Sequence, residues 1–151
     1  MPTAMQGRPA LGRSDAALAG GLRDAVGRLT RRMRRDRAVT DLSLGQLAAL
    51  RTLELHGAMT PSELAAHEKV QPPSMTKIVA KLETAGLVTR TPDPVDRRQV
   101  VVAAAPAGRA LLADDRRRKD AWLAQRLRTL DADEIAALRA AVPVLEKLSR
   151  S

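Results

Sequence analysis

The spacing of hydrophobic residues changes from a helical to an extended period near Gly86, and this change limits the possible folds more than any other feature. Before it, apolar residues follow the i, i+3, i+4, i+7 spacing of one helix face, at Met75, Ile78, Val79 and Leu82. After it, two β-branched runs, residues 87–91 and 99–103, flank a loop that holds two prolines. The order predicts helices followed by a β-hairpin.

Helix-start signals divide the rest of the chain. Capping boxes are predicted for three pairs of residues: Ser43 with Gln46, Thr60 with Glu63, and Asp131 with Glu134. The first pair predicts a helix from Leu44 to His56, with Gly57 as a left-handed stop. The second predicts a short helix from about Pro61 to Glu68, and Pro106 starts a long helix to about Leu130.

The two terminal helices are not expected to be stable without packing against other helices. The first, over residues 15–38, carries an apolar stripe but is weakened by glycines, and the last contains Pro143 in its interior. Two interlocked chains would cover both stripes, so we expect a homodimer. The block from Asp114 to Asp120 is too charged for a core, so we expect the helix to be solvated on most sides there. Residues 1–14 are predicted to form a flexible arm.

Composition excludes several classes of protein. There is no cysteine, which excludes thiol sensing, and Trp122 is the only aromatic side chain, which argues against binding of single strands by base stacking. No apolar run suits a membrane helix or a signal peptide, so we expect a soluble cytoplasmic protein. The net charge of +9 favours a polyanionic partner where it coincides with a motif.

The outer face of the predicted fourth helix is small, polar and basic. Its residues are Pro73, Ser74, Thr76, Lys77, Ala80 and Lys81. With the short helix before it, this helix forms a helix-turn-helix whose N-terminal half fits a major groove. The hydroxyl groups can bond phosphates or base edges, the lysines can neutralise phosphates, and the helix N-terminus is expected to offer free amides.

The predicted hairpin carries Arg97 and Arg98 at its tip, where a guanidinium can enter a narrow minor groove. A carboxylate repels phosphate, so Asp96 is expected to hold an arginine and shape the turn. Arg90, on the first β-branched run, completes the set of predicted DNA-binding residues.

From about Leu44 to Leu112 the chain resembles the MarR family of winged-helix transcriptional regulators. The stretches that carry the resemblance are residues 44–50, 60–65, 74–88, 96–102 and 106–111. It implies a bacterial winged helix-turn-helix protein, mainly α with a small β-hairpin wing, with a DNA-binding domain over residues 42–105. Dimerisation helices are implied at residues 15–38 and 106–151.

The resemblance also implies function. Ser74, Thr76 and Lys77 fall on the family's recognition helix, and Asp96 and Arg98 match its Asp-x-Arg wing motif. Family members usually repress nearby genes from pseudo-palindromic operators in double-stranded DNA and release the DNA on binding a small, often phenolic, effector. The chain departs from the pattern at Ala105, where a threonine often caps the helix after the wing.

Two other hypotheses remain open at this point. A metalloenzyme would need His56 and His67 to converge with Glu54, Glu63 or Glu68, but no catalytic motif is present, so we expect no enzyme, cofactor or metal. An architectural DNA-binding protein, held on the duplex by charge alone and without ligand sensing, is the second alternative.

Overall fold

The computed structural model describes residues 13–35 and 42–150. Within them the elements are α1 Arg13–Arg35, α2 Leu44–His56, α3 Pro61–His67, α4 Pro72–Thr84, β1 Val88–Pro92, β2 Val100–Ala104, α5 Pro106–Leu127 and α6 Ala132–Ser149. Helix α1 belongs to one compact unit and α2 to α6 to another. The mainly α fold with one hairpin is confirmed. The predicted arm, except its last two residues, and the predicted end of the first helix lie outside the described residues.

All three predicted capping boxes are confirmed. Ser43 Oγ accepts the Gln46 N–H at 3.2 Å, and Gln46 Oε1 accepts the Ser43 N–H at 3.0 Å. The same reciprocal pairs open α3 and α6. Gly57 ends α2 with φ 85° and ψ −170°, so its φ is left-handed as predicted, although its ψ is not that of a left-handed helix. The N-cap of α5 is Ala105, and no side chain caps that helix.

One core joins α2, α3, α4, the hairpin and the start of α5. Its largest fully buried side chains are Leu50, Leu53, Leu64, Met75, Val79, Leu82, Val102 and Leu112. The strands are antiparallel, with Val88 opposite Ala104 and Pro92 opposite Val100, so the predicted runs began one residue early. A bridge from Met59 to Val102, with hydrogen bonds of 3.1 and 2.8 Å, attaches the hairpin to the segment before α3.

The charged block of α5 is exposed on most sides, as expected, but the expectation that it is too charged for a core was wrong for Asp115. That residue is only 4% exposed. It is buried because Arg51 of α2 and Lys119 of α5 both bond its carboxylate, so its charge is paired inside the fold. The neighbouring Asp114 pairs within α5 and remains partly exposed.

Helices α1 and α6 leave apolar side chains uncovered. No residue of α6 is buried, and its exposed apolar residues include Leu138, Val142, Leu145 and Leu148. On α1, Leu18, Val26 and Leu29 are exposed. Helix α6 continues through Pro143. None of the helices within residues 13–35 and 42–150 has the length and apolar character needed to cross a bilayer.

Candidate nucleic-acid interface

A tight turn fixes α4 against α3. Lys69 adopts a left-handed φ of 53°, which few non-glycine residues do. The turn is closed by the Val70 N–H, which donates to the Ala65 carbonyl at 2.9 Å, and by the Lys69 N–H, which donates to the Ala66 carbonyl at 3.3 Å. The helix-turn-helix motif predicts a turn at this place, but not its left-handed position, because that position holds a lysine instead of the usual glycine.

Helix α4 divides into a buried face and an exposed face, as its periodicity predicts. Met75, Val79 and Leu82 are buried in the core, and Ile78 packs against it. All six residues predicted for the outer face are exposed: Pro73, Ser74, Thr76, Lys77, Ala80 and Lys81. The packing of one face therefore presents the polar and basic face to solvent.

The start of α4 does not offer the free amides that its position predicts. Pro72 and Pro73 occupy the first two helical positions and have no N–H. The next N–H, of Ser74, already donates to the Gln71 carbonyl at 3.0 Å, and the Met75 N–H donates to the same oxygen. The expected phosphate site made of backbone amides is therefore wrong, and the groups of this turn that remain able to bind a ligand are side chains.

The two hydroxyl groups on this face differ in what they can bind. Thr76 Oγ1 donates to the Pro72 carbonyl at 3.0 Å, so in this arrangement its oxygen can accept from a base but its proton is engaged. Ser74 Oγ has no hydrogen-bond partner within the described part of the chain and can donate to a phosphate.

The hairpin loop, residues 93–99, is held by short-range hydrogen bonds. The Asp93 N–H donates to the Gln99 carbonyl at 2.9 Å, and the Gln99 N–H donates to the Asp96 carbonyl at 2.9 Å. Asp96 Oδ1 accepts both the Arg98 N–H at 3.1 Å and Arg98 Nε at 3.2 Å. The expectation that Asp96 holds an arginine is confirmed, and that arginine is Arg98.

The arginines at the tip face solvent. The Arg98 side chain is 92% exposed although it contacts Asp96, and Arg97 is exposed beside it. An ion pair this exposed contributes little to stability. Its geometry still directs one edge of the guanidinium toward Asp96 and leaves the terminal nitrogens available to DNA.

Arg90 lies apart from the tip, on β1. Its Nη1 is 3.6 Å from Glu83 Oε2 near the end of α4. This ion pair connects the hairpin to α4. The structure therefore gives Arg90 a contact within the lobe, the name used from here on for α2, α3, α4, the hairpin and the start of α5. The sequence signal for this ion pair was the presence of Glu83 and Arg90 on either side of the turn at Gly86, and the sequence analysis did not use that signal.

The two histidines do converge, but without a third metal ligand. The ring centroids of His56 and His67 are 4.5 Å apart. The carboxylates considered with them are engaged elsewhere: Glu54 with Arg116, Glu63 with Thr60, and Glu68 with Thr52. No group of three or more His, Cys, Asp or Glu side chains suited to a metal ion occurs among the described residues.

Comparison with known proteins decides the family. The MarR family model matches residues 42–100. An HTH-type transcriptional regulator of Mycobacterium bovis is 46% identical over 132 residues, which cover 87% of this chain and 92% of that protein. The chain belongs to the MarR family. The multiple antibiotic resistance protein MarR of Salmonella typhimurium is 32% identical over 99 residues, which are 65% of this chain and 69% of that protein.

A solved structure agrees with this membership in the MarR family. A Pseudomonas aeruginosa protein described as a transcriptional regulator superposes with a TM-score of 0.84 at 34% identity. The match covers 93% of this chain and 99% of that one. This MarR-family protein is therefore a DNA-binding transcriptional regulator and not an enzyme, and its fold is the winged helix-turn-helix.

Proposed function

We propose that this MarR-family protein is a sequence-specific repressor that binds a pseudo-palindromic operator in double-stranded DNA as a homodimer in the bacterial cytoplasm. The observation that carries the proposal is the exposed face of α4, polar and basic opposite a buried apolar stripe, on the same lobe as an arginine-tipped hairpin. A helix of this kind fits a major groove, and a thin hairpin fits the adjacent minor groove.

The proposed contacts divide by chemistry. Ser74, Thr76 and Pro73 approach base edges and the sugar-phosphate backbone, because short side chains allow the helix to come close. Lys77 and Lys81 neutralise phosphates, which gives affinity without sequence information. Arg97 and Arg98 enter the minor groove, and Asp96 orients Arg98. We assign Arg90 a secondary phosphate contact, because its side chain is part exposed beside Glu83.

The uncovered terminal helices support the homodimer. The apolar residues of α6 are exposed in the single chain, with Leu138 at 45% and Leu145 at 39%. Exposed apolar rows on helices of a soluble chain are typical of association surfaces. A dimer would carry a charge of +18, twice the +9 of one chain, and such a charge favours association with DNA.

Selection of bound duplexes from a random DNA pool tests the proposal. We expect an enriched inverted repeat whose half-site centres lie about 10 base pairs apart, or a multiple of one turn. Affinity for that site should exceed affinity for a shuffled duplex of equal length by about 10³ or more. If no sequence is enriched and unrelated duplexes of equal length bind with equal affinity, the result would support the architectural alternative and contradict the repressor proposal.

Light scattering at micromolar concentration tests the dimer separately. We expect twice the mass of the 16.3 kDa chain. Leu138→Asp with Leu145→Asp should give the monomer mass, since each change puts a charge where we propose apolar contact between copies. A monomeric wild-type protein would contradict the homodimer.

Release of DNA by a small effector is the final part of the proposal. Its support is indirect: the DNA binding of BpsR of Bordetella bronchiseptica, a protein that shares the fold at 23% identity, is regulated by 6-hydroxynicotinic acid. Titration of the protein–operator complex with a panel of small phenols and aromatic acids tests it. Concentration-dependent loss of DNA binding that dialysis reverses would support an effector. No loss of DNA binding across the panel would count against phenols and aromatic acids as effectors.

A further inference from the structure

Hydrogen-bonded ion pairs link α2 to α5. Asp115 Oδ2 accepts Arg51 Nη2 of α2 at 2.7 Å and Lys119 Nζ, one turn further along α5, at 2.5 Å. One turn along α2 from Arg51, Glu54 accepts two hydrogen bonds from Arg116, at 2.7 and 3.2 Å. These residues, Arg51, Glu54, Asp115, Arg116 and Lys119, form the α2–α5 ion-pair cluster.

The cluster differs from the other ion pairs of α5. Asp115 is buried, and Glu54 is mostly covered. Asp114, the residue before Asp115, pairs only with Arg117 and Arg118 of its own helix among the residues that the structure describes. Two adjacent carboxylates therefore have different roles, since one joins two helices and the other stays within one.

The cluster lies where α5 leaves the core. Leu112 is the last buried apolar residue of the helix, and Asp115 is its last buried residue of any kind. Helix α2 is a central element of the lobe that also carries α4 and the hairpin. The part of α5 beyond the cluster continues toward α6, whose apolar residues are uncovered.

Charge-assisted hydrogen bonds restrict the angle between two helices, because they depend on direction as well as distance. The Arg116–Glu54 pair is bidentate, and Arg51 adds a single bond to the buried Asp115. From Arg116 to Leu127 the helix rises roughly 17 Å. A rotation of about 10° at the cluster would move that end by about 3 Å, close to the 3.4 Å rise of one base pair.

We propose that the α2–α5 ion-pair cluster is a positioning element that sets the distance between the two recognition helices of the dimer, and so the half-site spacing that the protein accepts. The proposal rests on the homodimer of the proposed function. None of the cluster residues needs to touch DNA, because they act through the angle at which α5 leaves the lobe.

The test is a set of operators in which the spacing between half-sites is changed by one or two base pairs in either direction. Fluorescence anisotropy gives the affinity for each spacing. The readout is the affinity for the best spacing divided by the affinity for the next-best spacing. Asp115→Asn breaks the buried part of the cluster and Glu54→Gln its more exposed part. Asp114→Asn is the matched control, since it makes the same charge change one residue away without touching α2.

We expect the ratio to fall by about tenfold in Asp115→Asn and by about threefold in Glu54→Gln. It should stay within about twofold of wild type in Asp114→Asn. If Asp115→Asn does not fold, Glu54→Gln alone decides. Folded, dimeric variants that keep the wild-type ratio, or that lose affinity equally at all spacings, would overturn the proposal. A wild-type protein with no spacing preference would instead refute the proposed function, and this inference with it.

Discussion

Substitution of Gly108 by alanine is predicted to destabilise the protein although the residue lies in a helix. A Cβ at this position would lie 2.2 Å from the Leu87 carbonyl oxygen and 3.0 Å from Leu50 Cδ1. That oxygen also accepts the Ala105 N–H at 2.9 Å, so the carbonyl is held in place. The start of α5 can approach Leu87, the residue before β1, this closely only because residue 108 has no side chain.

The expected magnitude follows from two opposing effects. Alanine in place of glycine stabilises a helix by about 0.5–1 kcal/mol. A contact of 2.2 Å with fixed backbone forces α5 away from the core, and overpacking of this kind costs about 3 kcal/mol, the upper end of its usual range. We therefore expect a net loss of about 2 kcal/mol in the free energy of unfolding, and a fall in Tm of about 4–8 °C.

Gly45→Ala is the matched control, because Gly45 also lies in the first turn of a helix. Its Cβ would meet Ile78 Cδ1 at 3.5 Å, an ordinary contact, so we expect a gain of up to about 1 kcal/mol. Urea unfolding followed by circular dichroism measures both variants, at one protein concentration because dissociation contributes to stability. An equal gain in the free energy of unfolding in both variants would show that α5 does not approach Leu87 as closely as the structure indicates.

Three further predictions concern the interface and the buried carboxylate. Arg98→Ala should weaken operator binding by about tenfold or more while the mass by light scattering is unchanged, and an unaltered gel-shift affinity would remove the hairpin from the mechanism. Lys77→Ala should weaken binding to every duplex and reduce the slope of log affinity against log salt by about 0.9; the wild-type slope would exclude a phosphate contact. Burial raises the pKa of Asp115, but Lys119 and Arg51 outweigh it, so the pKa lies below its ordinary value. Its stabilising effect is thus present above the unfolded pKa of about 3.9 and is lost as pH falls below it. Acid unfolding should be steeper in wild type than in Asp115→Asn, and identical curves would refute this.

Features that depend on neighbouring residues were predictable from the sequence. The capping boxes at Ser43, Thr60 and Asp131 formed as expected, because each needs only a side chain and an amide three residues apart. The buried stripe of α4 followed from its period, and the exposed face opposite it followed with no further information. The contact of Asp96 with Arg98 spans two residues and was predictable for the same reason.

Features that depend on distant residues were not predictable. Residue 115 has the same charge as residue 114, but it is buried against Arg51, far away in the chain, while Asp114 stays partly exposed. The prediction of free amides at the start of α4 failed because a general property of helix ends was applied to a turn that begins with two prolines.

The sequence by itself determined where helices begin, which face of each is apolar, and that a basic hairpin follows a polar recognition helix, since these are local properties of spacing and charge. Only the tertiary structure decided which carboxylate joins α2 to α5, how closely α5 approaches Leu87, and that a Met59 bridge holds the hairpin. Those outcomes depend on contacts between segments far apart in the chain, and no local pattern of residues encodes the geometry of such contacts.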